Sequence, residues 1–427
     1  VKTIRVHIEA VDDEGRGRAT HDAYDIAVRG AFIGDDVEMQ PERTFAARHL
    51  IVGKAVRFFD RGPCHAERVC SHPSPCPACP LHGADGSLSA EIKRGRIERA
   101  LSDVGIDCEV DDVVMHPQAL GYRQKVKLMA QILEGKLRLG VYVPYSHDFV
   151  VAELCPYVQP SINEAIPKLL ELLNSGCSVT ELTQIKAIIL RAGRDGVAAV
   201  VVTKSRYDAR IWEDAVAHKI LICVTERVQT QESNSILSGD VVQQIGPALI
   251  APLEGGPLVD PDSFCQSDPL QATFMYDLVA EFLTEDSSAG LFLDAYAGVG
   301  GFTRALQRRG AQKIIAVEQS PSALSALEQL GVSVMLSPMS EALAQLQERM
   351  PFAGIVVDPP KKGLMGDAIK VAALRAKHVA LVSCDPDAMA RDLQAFLAND
   401  YEVRRVIPVD FFGGTPAIET VVLMAKA

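Results

Sequence analysis

Leu381-Val382-Ser383-Cys384-Asp385-Pro386 sets a cysteine directly beyond an apolar run, at the kind of strand end where a thiolate can add to a substrate. A buried structural cysteine is the plain alternative. Upstream, Val356-Val357-Asp358-Pro359-Pro360-Lys361-Lys362-Gly363 ends a second apolar run in an acid and two prolines. Prolines lack an N–H donor and restrict φ, so they hold Asp358 and the neighbouring carbonyls in set positions, suited to gripping the edge of a flat base. The alternative there is a turn that merely ends a strand.

A third stretch, Phe292-Leu293-Asp294-Ala295-Tyr296-Ala297-Gly298-Val299-Gly300-Gly301-Phe302, reads as a strand, an acid and a glycine-rich turn that opens a helix. Glycines at Gly298 and Gly300 let backbone approach a ligand, and the carboxyl end of a first strand is where open α/β sheets bind cofactors. Glu318 ends the next apolar run, placed to accept hydrogen bonds from two ribose hydroxyls. A nicotinamide dehydrogenase would share these features. Asp294 separates the two readings, because a carboxylate beside the turn repels a pyrophosphate but suits the ammonium of S-adenosylmethionine.

The elements that must position these residues follow from patterning. After Pro261, strand and helix patterns alternate: Leu291–Ala295, Thr303–Arg309, Ile314–Val317, Pro321–Leu330, Val332–Leu336, Ile355–Val357, Val379–Val382, Arg404–Pro408 and Thr420–Met424. This predicts a largely parallel sheet with helices on both faces. The first 58 residues read as short strands with glycine and aspartate turns, a small barrel pattern. Residues 59–260 read as mixed α and β, with strands expected at Lys125–Ile132, Leu137–Val143, Ile185–Arg191, Val197–Thr203 and Ile220–Thr225, and helices at Ala90–Val104 and Ser161–Leu173. The expected division is therefore 1–58, 59–260 and 261–427.

With 427 residues, 48% hydrophobic and 23% charged, the chain exceeds what one core usually fills. It carries no apolar run long enough for a bilayer and no signal-peptide layout at its start, so the expectation is a cytoplasmic protein. Ten cysteines in a reducing compartment, several clustered between Gly62 and Gly86, point to metal or iron–sulfur ligation rather than disulfides. The formal charge of −12 opposes nucleic-acid binding unless basic residues are concentrated locally. Lys93-Arg94-Gly95-Arg96 with Arg99, and Arg123, Lys125 and Lys127 beside Tyr122, are the candidate stretches; the plain reading of each is a solvated face.

Taken in order, the motifs resemble those of the RNA 5-methyluridine (uracil-C5) methyltransferase family, in particular its 4Fe-4S-containing, 23S ribosomal RNA-type members. The matches are Phe264-Cys265-Gln266, the Asp294–Phe302 turn, Asp358-Pro359-Pro360, Ser383-Cys384-Asp385-Pro386 with Ala390-Arg391-Asp392-Leu393, and Asp410-Phe411-Phe412 with Thr415 and Ile418-Glu419-Thr420. The resemblance covers essentially the whole chain. It implies a TRAM-like (OB-like) N-terminal barrel, a central α+β domain with a cluster loop at 62–86, and a C-terminal Rossmann-like methyltransferase domain. It assigns Cys384 as nucleophile, Glu419 as general base, Asp358 to the base and the cofactor, and Gln266, Asp294, Tyr296, Gly298, Gly300 and Glu318 to the cofactor. It implies Cys70, Cys76, Cys79 and Cys155 as ligands of a 4Fe-4S cluster, with zinc second, and leaves Cys64 a bystander. RNA is the implied partner, ribosomal ahead of transfer, for a monomeric enzyme. The chain departs from the family at Lys361, where Arg is common, at Asp385 for Asn, and at Ile418 for His. Two rival readings remain: a methyltransferase for another base or a small molecule, and an iron–sulfur RNA-binding protein with an impaired site.

Overall fold

Alternating apolar and polar residues at the start of the chain fold as six strands: β1 (Ile4–His7), β2 (Ala10–Val11), β3 (Gly17–His21), β4 (Tyr24–Arg29), β5 (Asp36–Phe45) and β6 (Leu50–Asp60). They form one sheet in the order β1-β5-β6-β4-β3-β2 around Val6, Ile8, Ile26, Val28, Val37 and Met39. The structure is a computed structural model that describes residues 3–67, 69–70, 76–118, 120–143, 147–231, 237 and 239–427. Val1, at the expected start of the first domain, and positions 68 and 71–75 of the cysteine-rich stretch lie outside the described residues.

Two units partition the chain. The first comprises Val1–His116, Cys384–Arg391 and Arg405–Thr420, and the second Pro117–Ser383, Asp392–Arg404 and Val421–Ala427. In the first, the fully buried Asp35 accepts hydrogen bonds from the Phe32 and Gly62 N–H groups (2.7 and 2.8 Å) and meets His65 Nε2 at 2.7 Å, fixing the entry to the cysteine-rich loop. The loop closes on itself, with a bridge between His65 and Ala84 and a bond from Asp85 N–H to the Cys64 carbonyl (3.0 Å). Asp85 then caps helix α1 (Gly86–Asp103) by accepting from Leu88 N–H at 2.7 Å.

The second unit holds one sheet entirely and most of another. Strands β7 (Lys125–Leu133), β8 (Lys136–Tyr142), β9 (Phe149–Val151), β10 (Ile185–Gly193), β11 (Gly196–Thr203), β12 (Cys223–Val228) and β13 (Asp240–Ile245) lie in the order β13-β12-β11-β10-β7-β8-β9. Helices α2 (Pro160–Gly176), α3 (Val179–Leu182) and α4 (Ala209–Ala217) accompany them, and Ile162, Ile166, Leu169 and Leu173 of α2 share the core with Ile188, Val201 and Trp212. The strand expected at 220–225 begins later, at Cys223, because the Ile220 and Leu221 N–H groups are spent on the Ala215 carbonyl that closes α4.

The doubly wound portion follows: α5 (Pro269–Leu283), β14 (Leu291–Ala295), α6 (Gly301–Arg308), β15 (Lys313–Glu318), α7 (Pro321–Gln329), β16 (Ser333–Leu336), α8 (Met339–Gln347), β17 (Gly354–Val357), α9 (Ala368–Ala372), β18 (His378–Ser383), α10 (Pro386–Leu397), β19 (Tyr401–Val409) and β20 (Glu419–Lys426). Its sheet runs β16-β15-β14-β17-β18-β20-β19, with β14 to β18 parallel. The order reverses between β14 and β17, so the switch-point crevice lies at the carboxyl ends of those two strands. Among the described residues, no helix is long and apolar enough to cross a membrane.

Candidate active site

Asp294 stands at the switch point, fully buried. Its Oδ2 accepts from Thr303 N–H (2.8 Å) and Thr303 Oγ1 (2.6 Å), which ties β14 to the first turn of α6, while Oδ1 is buried without a hydrogen-bond partner. Burial pushes its pKa to about 6 against the lowering effect of the Thr303 bonds, and the Glu318 carboxylate adds to the rise. An unsatisfied buried carboxylate oxygen is costly unless a donor or cation completes it. Tyr296, Gly298 and Gly300 adopt φ of 63°, 52° and 83°. A Cβ on Gly300 would come within 2.5 Å of Leu330, whereas one on Gly298 would meet nothing within 4 Å, so the space beside Gly298 is open.

Glu318 is occupied more fully than its expected ribose role requires. Its two oxygens accept from Gly298 N–H (2.8 Å) and Ser320 N–H (2.7 Å), so the carboxylate shapes the turn first. Each oxygen keeps a further lone pair for a hydroxyl. Burial raises the Tyr296 phenol to about 12, so it stays a neutral donor.

Asp358 leaves β17 next to β14, its N–H reaching the Ala295 carbonyl at 3.3 Å. Burial, then the Asp294 carboxylate, push its pKa up. The two acids repel each other in the absence of a cation, which fits the ammonium-bearing cofactor. Beyond the prolines, Gly363 N–H closes a turn onto the Pro360 carbonyl (2.7 Å), and Leu364 N–H donates to Asp392 of α10 at 2.5 Å. That bond accounts for the acid in Ala390-Arg391-Asp392-Leu393. Gln266 is buried in a loop held by β7, where Gln124 Nε2 donates to the Gln266 carbonyl at 2.9 Å.

Cys384 is the first residue after β18 and is half-buried. Asp385 accepts from Ala388 N–H at 3.0 Å, capping α10 as an asparagine would, so that departure from the family leaves the local geometry intact. Glu419 opens β20 and is buried. The loop before it is knitted by Thr415, whose Oγ1 donates to the Phe412 carbonyl (2.8 Å) and accepts from Ala417 N–H (3.3 Å).

Cys70, Cys76 and Cys79 are half-buried in the cysteine-rich loop of the first unit, and Cys155 is half-buried in the second. Cys79 N–H turns onto the Cys76 carbonyl at 3.2 Å. Among the described residues, ligand atoms of three or more side chains within 4.8 Å of one another occur at Glu285, Asp286 and His378, not at Cys70, Cys76 and Cys79. The Glu285 group lies at the amino end of β18, where Lys377 Nζ already pairs with Asp286 at 2.6 Å. Cys64 packs against Phe32, Leu81, Leu88 and Ile92, and burial pushes its thiol pKa up.

Most cations of the basic stretches expected to face RNA are paired within the fold, some buried and some at its surface. Lys93 is buried and paired with Asp410, Arg94 bonds Glu98 (2.8 Å) and Asp112 (3.0 Å), Arg96 donates to the Pro416 carbonyl (2.5 Å), and Arg99 pairs with Asp13. Lys125 donates to the Ser263 carbonyl at 3.1 Å, while Lys127 is exposed. Arginines that sequence reasoning did not single out lie on or beside β1, β5 and β6 against aromatic rings. Arg5 and Arg57 sit over the exposed Phe59 (4.1 and 4.7 Å), Arg61 over Phe58 (4.5 Å) and Arg43 over Phe45 (4.9 Å). The spacing Arg57-Phe58-Phe59-Asp60-Arg61 was their signal, since cations stacked on aromatics bind bases and phosphates together.

The switch-point sheet with its acid-flanked glycine turn defines a methyltransferase fold. Over the whole chain it matches the Pyrococcus abyssi tRNA (uracil-54, C5)-methyltransferase solved with S-adenosyl-L-homocysteine, at a TM-score of 0.75 and 22% identity, covering 99% of this chain and 100% of that one. Residues 343–427 match the family described as tRNA (Uracil-5-)-methyltransferase. A Clostridium tetani RNA methyltransferase is 26% identical, covering 99% of this chain and 96% of the relative. The Yersinia enterocolitica 23S rRNA (uracil(1939)-C(5))-methyltransferase RlmD is 25% identical, covering 100% of this chain and 96% of the relative. The motif resemblance is thereby upheld: along its length the chain is similar to RNA uracil-5-methyltransferases.

Proposed function

We propose that this protein methylates C5 of a uridine in RNA, 23S ribosomal RNA ahead of transfer RNA, through a covalent bond between Cys384 and C6 of the base. The observation that carries the reading is a half-buried cysteine one residue beyond β18, at the carboxyl end of a strand in the same sheet as the Asp294 turn. C5 of uracil is a poor nucleophile until a thiolate adds to C6 and makes the ring an enolate, which is the work assigned to Cys384. S-adenosylmethionine, when bound, supplies the electrophilic methyl group. Asp294, Tyr296, Gly298, Gly300, Glu318 and Gln266 hold it, and Asp358 flanks both cofactor and base. Glu419 takes the C5 proton, after which Cys384 leaves. The target carbon is inaccessible in a stacked helix, so the uridine must be flipped or single-stranded.

The Arg–Phe surface of the N-terminal sheet supports RNA contact despite the acidic total charge. Three sheets, one each within 1–58, 59–260 and 261–427 apart from the last residues of β6, support the three-domain division, and the first domain is read as a barrel. Cys70, Cys76, Cys79 and Cys155 would hold a 4Fe-4S cluster with a structural or RNA-positioning role, since the reaction has no redox step. The enzyme is read as a cytoplasmic monomer. The test is incubation of wild type and Cys384→Ala with labelled S-adenosylmethionine and total RNA from a strain lacking the activity, read by nucleoside mass spectrometry. 5-Methyluridine with wild type only is expected. Product from both proteins would remove Cys384 from the mechanism, and product from neither, with cofactor still bound, would move the small-molecule or regulatory reading forward.

A further inference from the structure

The loop between β19 and β20 ends in Glu419 and is gripped by one face of α1. Lys93 donates to Asp410 and reaches the Phe412 carbonyl at 3.5 Å; Arg96, three residues on and so on the same helical face, donates to the Pro416 carbonyl at 2.5 Å. Leu81 N–H, just before α1, donates to the Gly414 carbonyl at 2.9 Å. Within the loop, Asp410 also accepts from Phe412 N–H at 2.9 Å. Four points of a nine-residue span, 410–418, are thus set from the segment 81–96. Burying a lysine with its aspartate seldom adds net stability compared with an apolar pair, so a fully buried Lys93 calls for a role other than stability. Carbonyl and carboxylate groups held by two long cations at fixed spacing fix where the loop must end.

We propose that Lys93 and Arg96 are positioning residues for Glu419, acting through Asp410 and the 410–418 loop, and that they set the rate at which the covalent RNA adduct is resolved. The inference rests on the reading of Cys384 and Glu419 given above. In that step the Glu419 carboxylate takes the proton from C5, the C5–H electron pair becomes the C5=C6 bond, and the C6–Sγ bond breaks with its pair returning to Cys384 as thiolate. Formation of the adduct and transfer of the methyl group precede it and do not need Glu419. Loss of the α1 contacts therefore slows decay of the adduct selectively, which a general loss of packing would not do.

The test compares wild type with Arg96→Gln and with the neutral double variant Lys93→Met/Asp410→Asn. Each is mixed with S-adenosylmethionine and unmodified 23S and transfer RNA transcripts, and the covalent protein–RNA complex is followed on denaturing gels. The double variant avoids leaving one buried charge alone, and Arg96→Gln keeps the buried pair, so a folding failure of one leaves the other informative. The expected result is an adduct formed at the wild-type rate that decays at least tenfold more slowly and accumulates. An adduct that decays at the wild-type rate in the folded variants, or formation and decay slowed alike, overturns the inference alone. If wild type itself forms no adduct, the reading beneath falls and carries the inference with it.

Discussion

Asp294 is the residue at which structure and chemistry meet most sharply. It caps the turn of α6 through one oxygen and leaves the other buried and unsatisfied, with Asp358 on the neighbouring strand pushed upward by burial and by Asp294 itself. For an acid raised on folding, the ionised form is the disfavoured one, so these groups cost stability in full above the raised pKa, and the cost is relieved as pH falls from there to the unfolded pKa. A ligand carrying positive charge has the opposite preference and binds the ionised pair. Affinity for S-adenosylhomocysteine, measured by calorimetry, is therefore expected to be full above neutral pH and to fall as pH drops through about 6, the value for Asp294, with binding releasing protons from the acids in that range. Asp294→Asn should flatten that pH dependence and weaken binding at pH 8 at least tenfold. A pH-independent affinity in wild type would remove the carboxylates from cofactor recognition.

At the scale of elements, the β14–α6 turn separates two uses of glycine. Gly300 has φ of 83° and no room for a methyl group, so Gly300→Ala is expected to cost about 1–3 kcal/mol of stability, seen as a lower melting temperature with and without ligand. Gly298 has φ of 52° but open space around its Cα, so Gly298→Ala should melt nearer to wild type yet gain less from added S-adenosylhomocysteine. This turn was legible in sequence because a buried strand, an acid and three glycines admit few other structures. Helices α5 and α8 were not read, although Asp268-Pro269 is a cap followed by proline at the first helical position, and Met339, Ala342, Leu343 and Leu346 recur at helical spacing. Short helices between strong strands are masked by the strand signal. The destination of Lys93 was illegible for a different reason, since its partner Asp410 lies far along the chain and only the tertiary fold joins them.

For the molecule as a whole, the charge of −12 makes long-range attraction to RNA unfavourable, so affinity must come from a local surface at short range. The first-unit sheet offers one, with exposed Arg57 and Arg61 stacked on Phe59 and Phe58, while Arg5 is partly neutralised by Asp36 through a bond of 3.0 Å. A guanidinium held over an aromatic ring presents donors to a phosphate while the ring edge remains available to a base. Each single-stranded phosphate neutralised contributes roughly 0.7 to the slope of log affinity against log salt. Arg57→Ala/Arg61→Ala should therefore reduce the magnitude of that slope by about 1.4 for the two contacts, and raise the KM for RNA. The turnover rate at saturating RNA and the affinity for S-adenosylhomocysteine should not change, because neither arginine belongs to the cofactor site. An unchanged salt slope in filter-binding titrations would mean that RNA is held elsewhere, with exposed Lys127 of β7 the next position to neutralise.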